Sequence, residues 1–151
     1  MLRISKLADY AIVVMNELAS TDDDLLSAAD ISTNTKIPEP TVGKILKALA
    51  RDELLTSTRG AKGGYQLAMD TTAINLVQII SAIDGEIALT ECDKETSACS
   101  VQASCTVSHN WQRISHAIRE ALAGISLADM KQPIPESVIQ FKIKDKLVKA
   151  S

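Results

Sequence analysis

The sequence predicts a mainly α-helical fold with one short β-hairpin. Apolar residues recur at helical spacing in most segments, and one Gly-rich stretch lies between two short runs of strand-forming residues. Aromatic side chains make up only 3% of the 151 residues, so the core must consist of Leu, Ile, Val and Ala, which favours packed helices. The length corresponds to one domain, or to one small domain with an appendage.

Three helices are predicted before the hairpin. The first covers residues 4–19, which carry an apolar stripe at helical spacing. Ser27 followed by Asp30 has the pattern of a capping box, which predicts the start of a short second helix. Two prolines then separate this helix from a third over 41–52. The apolar stripe of the third helix consists of Val42, Ile45, Leu46 and Leu49.

The hairpin directly follows the third helix. Its strands are predicted at 54–57 and 64–68, and its Gly-rich tip carries Arg59 and Lys62. Two short helices joined by a tight turn, the second with a basic exposed face, outline a helix-turn-helix, and a hairpin directly after the second helix is a wing. The fold class is therefore a mainly α winged helix-turn-helix with a two-stranded wing. A fourth helix at 74–83 and a long C-terminal helix at 106–123 complete it.

The distribution of charge favours a double-stranded DNA partner. The net charge is −3, yet residues 36–67 carry +3, residues 70–130 carry −5 and residues 131–151 carry +3. Cations on the third helix and at the wing tip are placed to reach phosphates and base edges. The residues expected to contact DNA are Thr41, Lys44, Lys47, Arg59 and Lys62. The alternative is a solvated helix face beside an ordinary hairpin. A nucleotide-binding phosphate loop is excluded, because the glycines join two strands and do not open a helix.

Three cysteines lie close together in a stretch without helical or strand periodicity. Cys92, Cys99 and Cys105 are separated by six and five residues, a spacing that differs from the CxxC of zinc knuckles and thioredoxin-like sites. Widely spaced thiolates on a loop can converge on one polynuclear group, so the predicted cofactor is an iron–sulfur cluster, 2Fe–2S or 4Fe–4S. Zinc held by three cysteines and one histidine, and free or redox-active thiols, remain open alternatives. His109, about one helical turn after Cys105, is a candidate fourth ligand.

Several classes of function are not expected from the sequence. No Ser/His/Asp or Cys/His arrangement suggests catalysis, so the protein is predicted not to be an enzyme and to have no small-molecule substrate. No apolar run could span a bilayer and no cleavable leader is visible, which predicts a cytoplasmic protein without a membrane partner. His116 is expected on a helix surface, and Trp111 is expected to pack between helices.

These residues resemble the IscR/NsrR family of winged-helix iron–sulfur regulators. The resemblance covers residues 1 to about 130 and is carried by the opening MLRISK with Asp9-Tyr10-Ala11, the wing sequence RGAKGGY at 59–65, the three cysteines and ISLAD at 125–129. The sequences LTEC at 89–92 and NWQRI at 110–114 are most similar to the branch that regulates SUF-type iron–sulfur assembly. The resemblance implies a homodimer in which helix 106–123 crosses its equivalent in the other subunit. It also implies that the operators lie upstream of cluster-assembly genes.

Two positions depart from the family pattern. IscR-like members use a histidine three residues after the last cysteine, where this chain has Ser108 and places His109 one step later. NsrR-like members instead use an aspartate from the first helix of the other subunit, a position that Asp9 matches. The fourth ligand is therefore either Asp9 of the partner subunit or His109. Gly43 stands where some relatives have a base-contacting glutamate. The operator sequence of those relatives is therefore not assigned to this chain.

The sequence thus predicts a dimeric transcriptional regulator whose DNA affinity depends on an iron–sulfur cluster. The predicted parts are a winged helix-turn-helix DNA-binding domain (1–84), a cysteine loop (85–105), a dimerisation helix (106–130) and a Lys-rich, mobile tail (131–151). The alternatives are a DNA-binding regulator switched by thiol oxidation without a cluster, and a cluster carrier or protein-docking module that does not bind DNA. Cluster nuclearity, repression or activation, the physiological signal and the role of the tail are left open.

Overall fold

The computed structural model describes residues 3–21, 24–90, 100 and 104–133. Within them the chain is mainly helical with one two-stranded antiparallel sheet, which confirms the predicted fold class. In chain order the elements are α1 (Lys6–Leu18), α2 (Ala28–Thr35), α3 (Glu39–Arg51), β1 (Leu55–Thr58), β2 (Gly64–Leu67), α4 (Leu76–Asp84) and α5 (Ser108–Ala123), followed by a 3-10 turn at Asp129–Lys131. No helix in the described ranges has the length and apolar character needed to cross a membrane.

Side-chain caps fix the starts of α2 and α4. The predicted capping box is present: the Ser27 hydroxyl accepts from the amide of Asp30, and the Asp30 carboxylate accepts from the Ser27 amide. The Ser27 side chain first, and then its backbone amide, lowers the pKa of Asp30 by hydrogen bonding to the carboxylate. Asn75 and Gln78 form a second capping box at α4. Both helices therefore begin at residues whose own side chains bond the first free amides.

The third helix starts earlier than the sequence predicts. Pro40 lies in the first turn of α3, where an amide has no partner within the helix and its loss costs nothing. The turn before it is closed by Lys36, which adopts a left-handed conformation with φ of 62° at the end of α2. Lys36 thus closes the tight turn of the helix-turn-helix on the α2 side, and the two prolines define it on the α3 side.

The core lies between α1, α3 and α4, with α2 and β1 packed at its edge. All four residues of the predicted α3 stripe are fully buried, and they pack with Met15 of α1 and Ile79 of α4. Of the buried apolar residues in the part of the chain that the structure describes, all except Leu127 fall between Ala8 and Ala82. The helix-turn-helix, the wing and α4 therefore share a single core.

The wing is joined to the helices by a third extended segment. In the hairpin, Leu55 faces Leu67 and Thr58 faces Gly64. Leu26, just before α2, exchanges two backbone hydrogen bonds with Tyr65 of β2, at 3.1 and 2.8 Å. This approach leaves no room for a side chain at Gly64, where an added Cβ would lie 2.7 Å from the carbonyl oxygen of Leu26. The orientation of the wing is therefore tied to the residues that precede α2.

After α5 the chain returns to the start of α4. The amide of Leu127 donates to the Ile74 carbonyl at 2.8 Å, and the amide of Leu76 donates to the Ile125 carbonyl at 3.1 Å. Leu127 is fully buried, so the C-terminal end of α5 is attached to the shared core. Lys131, the first residue of the predicted tail, donates from Nζ to the Ala19 carbonyl at the end of α1. Residues 134–151 lie outside the described part of the chain, so the predicted mobility of the tail stays a prediction.

We expect Gly64→Ala to lower the free energy of unfolding by about 1–3 kcal/mol, because the backbone of Leu26 would have to move. Gly43→Ala is the matched control, since its added Cβ would meet no atom within 4 Å and α3 would gain up to about 1 kcal/mol of helix propensity. Urea unfolding of the two variants measures the difference. Equal free energies of unfolding would contradict the close approach of Leu26 to the wing.

Candidate nucleic-acid interface and cysteine site

Two lysines form the exposed face of α3. Lys44 and Lys47 lie opposite the buried stripe and are both exposed, while Thr41 is half-buried in the first turns of the same helix. Within the described residues, neither lysine takes part in an ion pair or a hydrogen bond to another group. Their ammonium groups therefore remain available to an anionic partner, as the sequence predicts.

The third cation of this helix has a structural partner. The Arg51 guanidinium donates from Nη2 to the carbonyl oxygen of Ala82 at 3.0 Å, and its Nε lies 2.9 Å from Asp52 Oδ1. The Ala82 carbonyl belongs to the last turn of α4, where a helix carries partial negative charge. Arg51 therefore connects the end of α3 to the end of α4. The contact joins residues 31 positions apart, and no local sequence pattern indicates it.

A shallow depression lies beside this face of α3. It has a volume of about 360 Å³. Its lining residues are Leu7, Lys44, Lys47, Ala48, Arg51, Ala82 and Ile83. The apolar members come from α1, α3 and α4, and all three cations come from α3. The depression thus has a cationic side formed by α3 and an apolar side formed by the start of α1 and the end of α4.

The wing tip presents the other two predicted cations. Arg59 and Lys62 are both exposed on the loop between β1 and β2. Gly60 has φ of 117°, and a Cβ on Gly63 would lie 2.2 Å from the Thr58 carbonyl oxygen, so the tip requires glycine at both positions. Thr56, Ser57 and Thr58 of β1 are exposed as well. Their hydroxyl groups, which the sequence analysis did not single out, are further hydrogen-bond donors for phosphate.

Of the three cysteines, the structure describes Cys105. Its side chain is half-buried directly before α5, and its carbonyl oxygen accepts from the Ser108 hydroxyl at 3.1 Å. Cysteine sulfur is the ligand that iron–sulfur clusters take from proteins, so Cys105 fits the chemistry of a cluster ligand. Cys92 and Cys99 lie outside the described residues.

Both candidates for the fourth ligand are exposed. His109 lies in the first turn of α5, one turn from Cys105, and Asp9 lies in the first turn of α1. Within the described ranges, no three His, Cys, Asp or Glu side chains gather as a metal site. Both positions are accessible, and the choice between them stays a prediction.

A buried serine connects the residues before the cysteines to α5. Ser115 is only 1% exposed and is the one buried residue of α5, all of which the structure describes. Its hydroxyl oxygen accepts from the amide of Leu89 at 3.3 Å. One turn later, Arg119 donates from Nη1 to the carbonyl oxygen of Ile87 at 2.8 Å and lies 3.9 Å from a carboxylate oxygen of Glu86. Neither role is predicted from the sequence, where the one available signal is a serine within the apolar spacing of this helix.

An apolar stripe on α5 and the turn before it faces outward. Val107, Trp111 and Ile114 are 48%, 41% and 46% exposed, and they follow one another at helical spacing. Trp111 was predicted to pack between helices, yet within this chain it lies on the surface. A stripe of large apolar residues on an exposed helix is typical of a helix that meets a partner.

A helix-turn-helix with an exposed basic second helix, followed by a cationic Gly-rich wing, defines a winged-helix DNA-binding regulator. The chain matches the family model "Rrf2: Iron-dependent Transcriptional regulator" over residues 4–133. It therefore belongs to the Rrf2 family of transcriptional regulators, which are DNA-binding proteins and not enzymes. The prediction that the protein is not an enzyme is confirmed at this level.

Individual relatives agree with this assignment. A putative HTH-type transcriptional regulator, ORF2, from Azotobacter vinelandii is 34% identical over 130 residues, which are 85% of this chain and 79% of the relative. NsrR from Oceanobacillus iheyensis and IscR from Vibrio cholerae are each 28% identical over 85% of this chain, and the matches cover 89% and 75% of those proteins. The predicted resemblance to IscR and NsrR is confirmed.

Solved structures show the same fold. CymR, described as the global cysteine regulator of B. subtilis, superposes with a TM-score of 0.66 at 27% identity and covers 86% of this chain and 96% of its own. IscR from T. potens gives a TM-score of 0.63 at 28% identity, with 90% of each chain covered.

Proposed function

We propose that the chain is a homodimeric regulator that binds an iron–sulfur cluster and controls SUF-type cluster-assembly genes according to the state of that cluster. The observation that carries this proposal is the position of Cys105. Its half-buried thiol lies at the N-terminal end of the helix with the exposed apolar stripe, on a chain whose other half is a DNA-binding fold. The SUF assignment rests on the sequences at 89–92 and 110–114.

In this proposal the DNA-binding residues are Thr41, Lys44, Lys47, Arg59 and Lys62. The N-terminal half of α3 enters the major groove, where base edges are read, and the wing cations contact phosphates or the adjacent minor groove. Most of the affinity comes from the cations, because neutralised phosphates release their counterions. Lys44 and Lys47 are exposed and unpaired within the described residues, which supports this role.

A second copy of this chain is the proposed partner of the apolar stripe. The same surface on two subunits satisfies the two-fold symmetry of a homodimer, in which Trp111 of each subunit becomes buried. Trp111 and Ile114 are both more than a third exposed in the single chain, so association removes a large apolar area from water. A symmetric dimer would also present two α3 helices to two half-sites on DNA.

The proposed cluster ligands are Cys92, Cys99 and Cys105, with Asp9 of the partner subunit or His109 as the fourth. When bound, the group supplies a charge that changes on oxidation or on loss of the cluster. Ser108 holds the backbone of Cys105 by donating from its hydroxyl to the carbonyl oxygen of that residue. A change in the ligated state would bias the dimer between two DNA affinities only if the two states bind DNA differently.

A cluster-free thiol switch is the second candidate function. It is favoured by the similarity to B. subtilis CymR, which is described as a cysteine regulator. The two candidates share the DNA-binding residues and differ in iron content. The alternative of a carrier that does not bind DNA is disfavoured by membership of a transcriptional regulator family.

We expect the double variant Arg59→Ala/Lys62→Ala to weaken binding to an unrelated duplex by about tenfold and to reduce the salt slope of log Kd by about two, because two phosphate contacts are lost. Fluorescence anisotropy between 50 and 300 mM salt, roughly the range where this effect is resolved, measures both quantities. Arg113→Ala/Lys131→Ala is the control with the same change in charge. An identical salt slope in the two double variants would exclude the wing as a phosphate contact.

We expect Cys105→Ala, Cys92→Ala and Cys99→Ala each to abolish retention of iron and sulfide after anaerobic purification, since each removes one thiolate ligand. His116→Ala is the control and should retain both elements. Full iron and sulfide in all three cysteine variants would rule out the ligand assignment. Wild-type protein without iron and with reactive thiols would support the thiol switch instead.

The same preparations identify the fourth ligand. Asp9→Ala and His109→Ala are compared by visible absorption and circular dichroism, because these spectra respond to the atoms that bind iron. A changed spectrum in one variant alone assigns the ligand to that residue. Wild-type spectra in both variants would eliminate both candidates.

We expect Trp111→Glu to convert the dimer to monomers, because it places a charge in the centre of the proposed apolar contact. Size-exclusion chromatography with light scattering measures the mass. Met69→Glu is the control, since Met69 is also an exposed apolar residue, at 38%, but lies outside the stripe. A monomeric wild-type protein, or a dimeric Trp111→Glu variant, would contradict this interface.

A further inference from the structure

We propose that Ser115 and Arg119 are positioning residues for the thiolate site: they fix the start of the cysteine loop to α5, the same helix that fixes its end. This inference rests on the proposed cluster function. It concerns two residues that do not bind the cluster themselves.

The two hydrogen bonds show in which direction the segment 87–89 runs along α5. Ile87 is bonded to Arg119, and two residues later Leu89 is bonded to Ser115, four residues earlier in α5. The order of these two contacts means that the segment 87–89 runs antiparallel to α5, toward the helix end that carries Cys105.

The end of the loop is attached to the same helix. The Ser108 hydroxyl bonds the carbonyl oxygen of Cys105 at the first turn of α5. Ser108 and Ser115 are separated by seven residues, about 10 Å along a helix. Both ends of the cysteine loop are thus held on one rigid element at a short separation.

Holding both ends has a direct consequence for ligation. The entropy cost of bringing distant residues together falls when the ends of the connecting chain are already close and fixed. Part of the cost of gathering the three thiolates is then met by the fold before any iron binds, which is preorganisation of the site. The contacts also explain the burial of Ser115, which otherwise places a polar side chain on a packed helix face.

A cluster-independent experiment tests the two hydrogen bonds. Amide hydrogen–deuterium exchange of the metal-free dimer should show faster exchange at residues 86–90 in Ser115→Ala and Arg119→Gln, by roughly tenfold, as expected when a buried amide loses its acceptor or the segment loses its anchor. Arg119→Lys retains a cationic donor and should restore protection, and His116→Gln is the control at an exposed position of the same helix. Wild-type exchange at 86–90 in both test variants would overturn the proposal.

The second measurement asks whether the anchor positions the thiolates. After anaerobic reconstitution with iron and sulfide, Ser115→Ala and Arg119→Gln should release iron to a chelator roughly tenfold faster than wild type and show an altered visible circular dichroism spectrum, with unchanged dimer mass. Wild-type release and spectra in variants with raised exchange would overturn the positioning role. Wild-type protein that binds no iron would instead overturn the proposed cluster function, and the exchange result would still decide whether the two bonds hold the segment.

Discussion

Burial of one side of α3 determines which side of this helix is exposed. Val42, Ile45, Leu46 and Leu49 pack against α1, α4 and β1 without measurable exposure, and burying a side chain of this size contributes about 1.5–3 kcal/mol. The helix cannot rotate about its axis without exposing this stripe, so Lys44 and Lys47 are held on the outer surface. The turn before α3 and the contact of Arg51 with the Ala82 carbonyl fix its two ends. The exposed cationic face of α3 therefore depends on packing as much as on charge.

The wing adds a second constraint on the same surface. Because Leu26 pairs with Tyr65, the hairpin is attached to the segment before α2 as well as to the end of α3. The cations at the wing tip and those on α3 thus belong to one unit with a fixed internal geometry. Gly64 makes this possible by allowing two backbones to approach closely.

Local signals were sufficient for most of the DNA-binding half. The capping box at Ser27, the two prolines and the apolar stripe of α3 each act within a few residues, so their patterns are visible in the sequence, and the structure differs only at helix ends. Contacts between distant residues were not predictable in this way. The pairing of Leu26 with Tyr65 joins two backbones, so side-chain identity gives no indication of it. In the contact between Ser115 and Leu89 the donor is a backbone amide, which every residue but proline has, so the serine alone does not identify its partner. The outward position of Trp111 likewise could not be distinguished from burial by periodicity, because both produce an apolar stripe.

The attachment of α5 at its C-terminal end makes this helix a lever. Its base is fixed by the pairing of residues 125–127 with residues 74–76, and its tip carries Cys105. A helix of this length extends about 24 Å, so a rotation of about 5° at the base corresponds to a displacement of about 2 Å at the tip. A force applied at the N-terminal end of α5 consequently produces a larger force at its fixed C-terminal end. Rearrangements of ångström size beside Cys105 would reach the start of α4 as small changes of angle, within a core that stays packed.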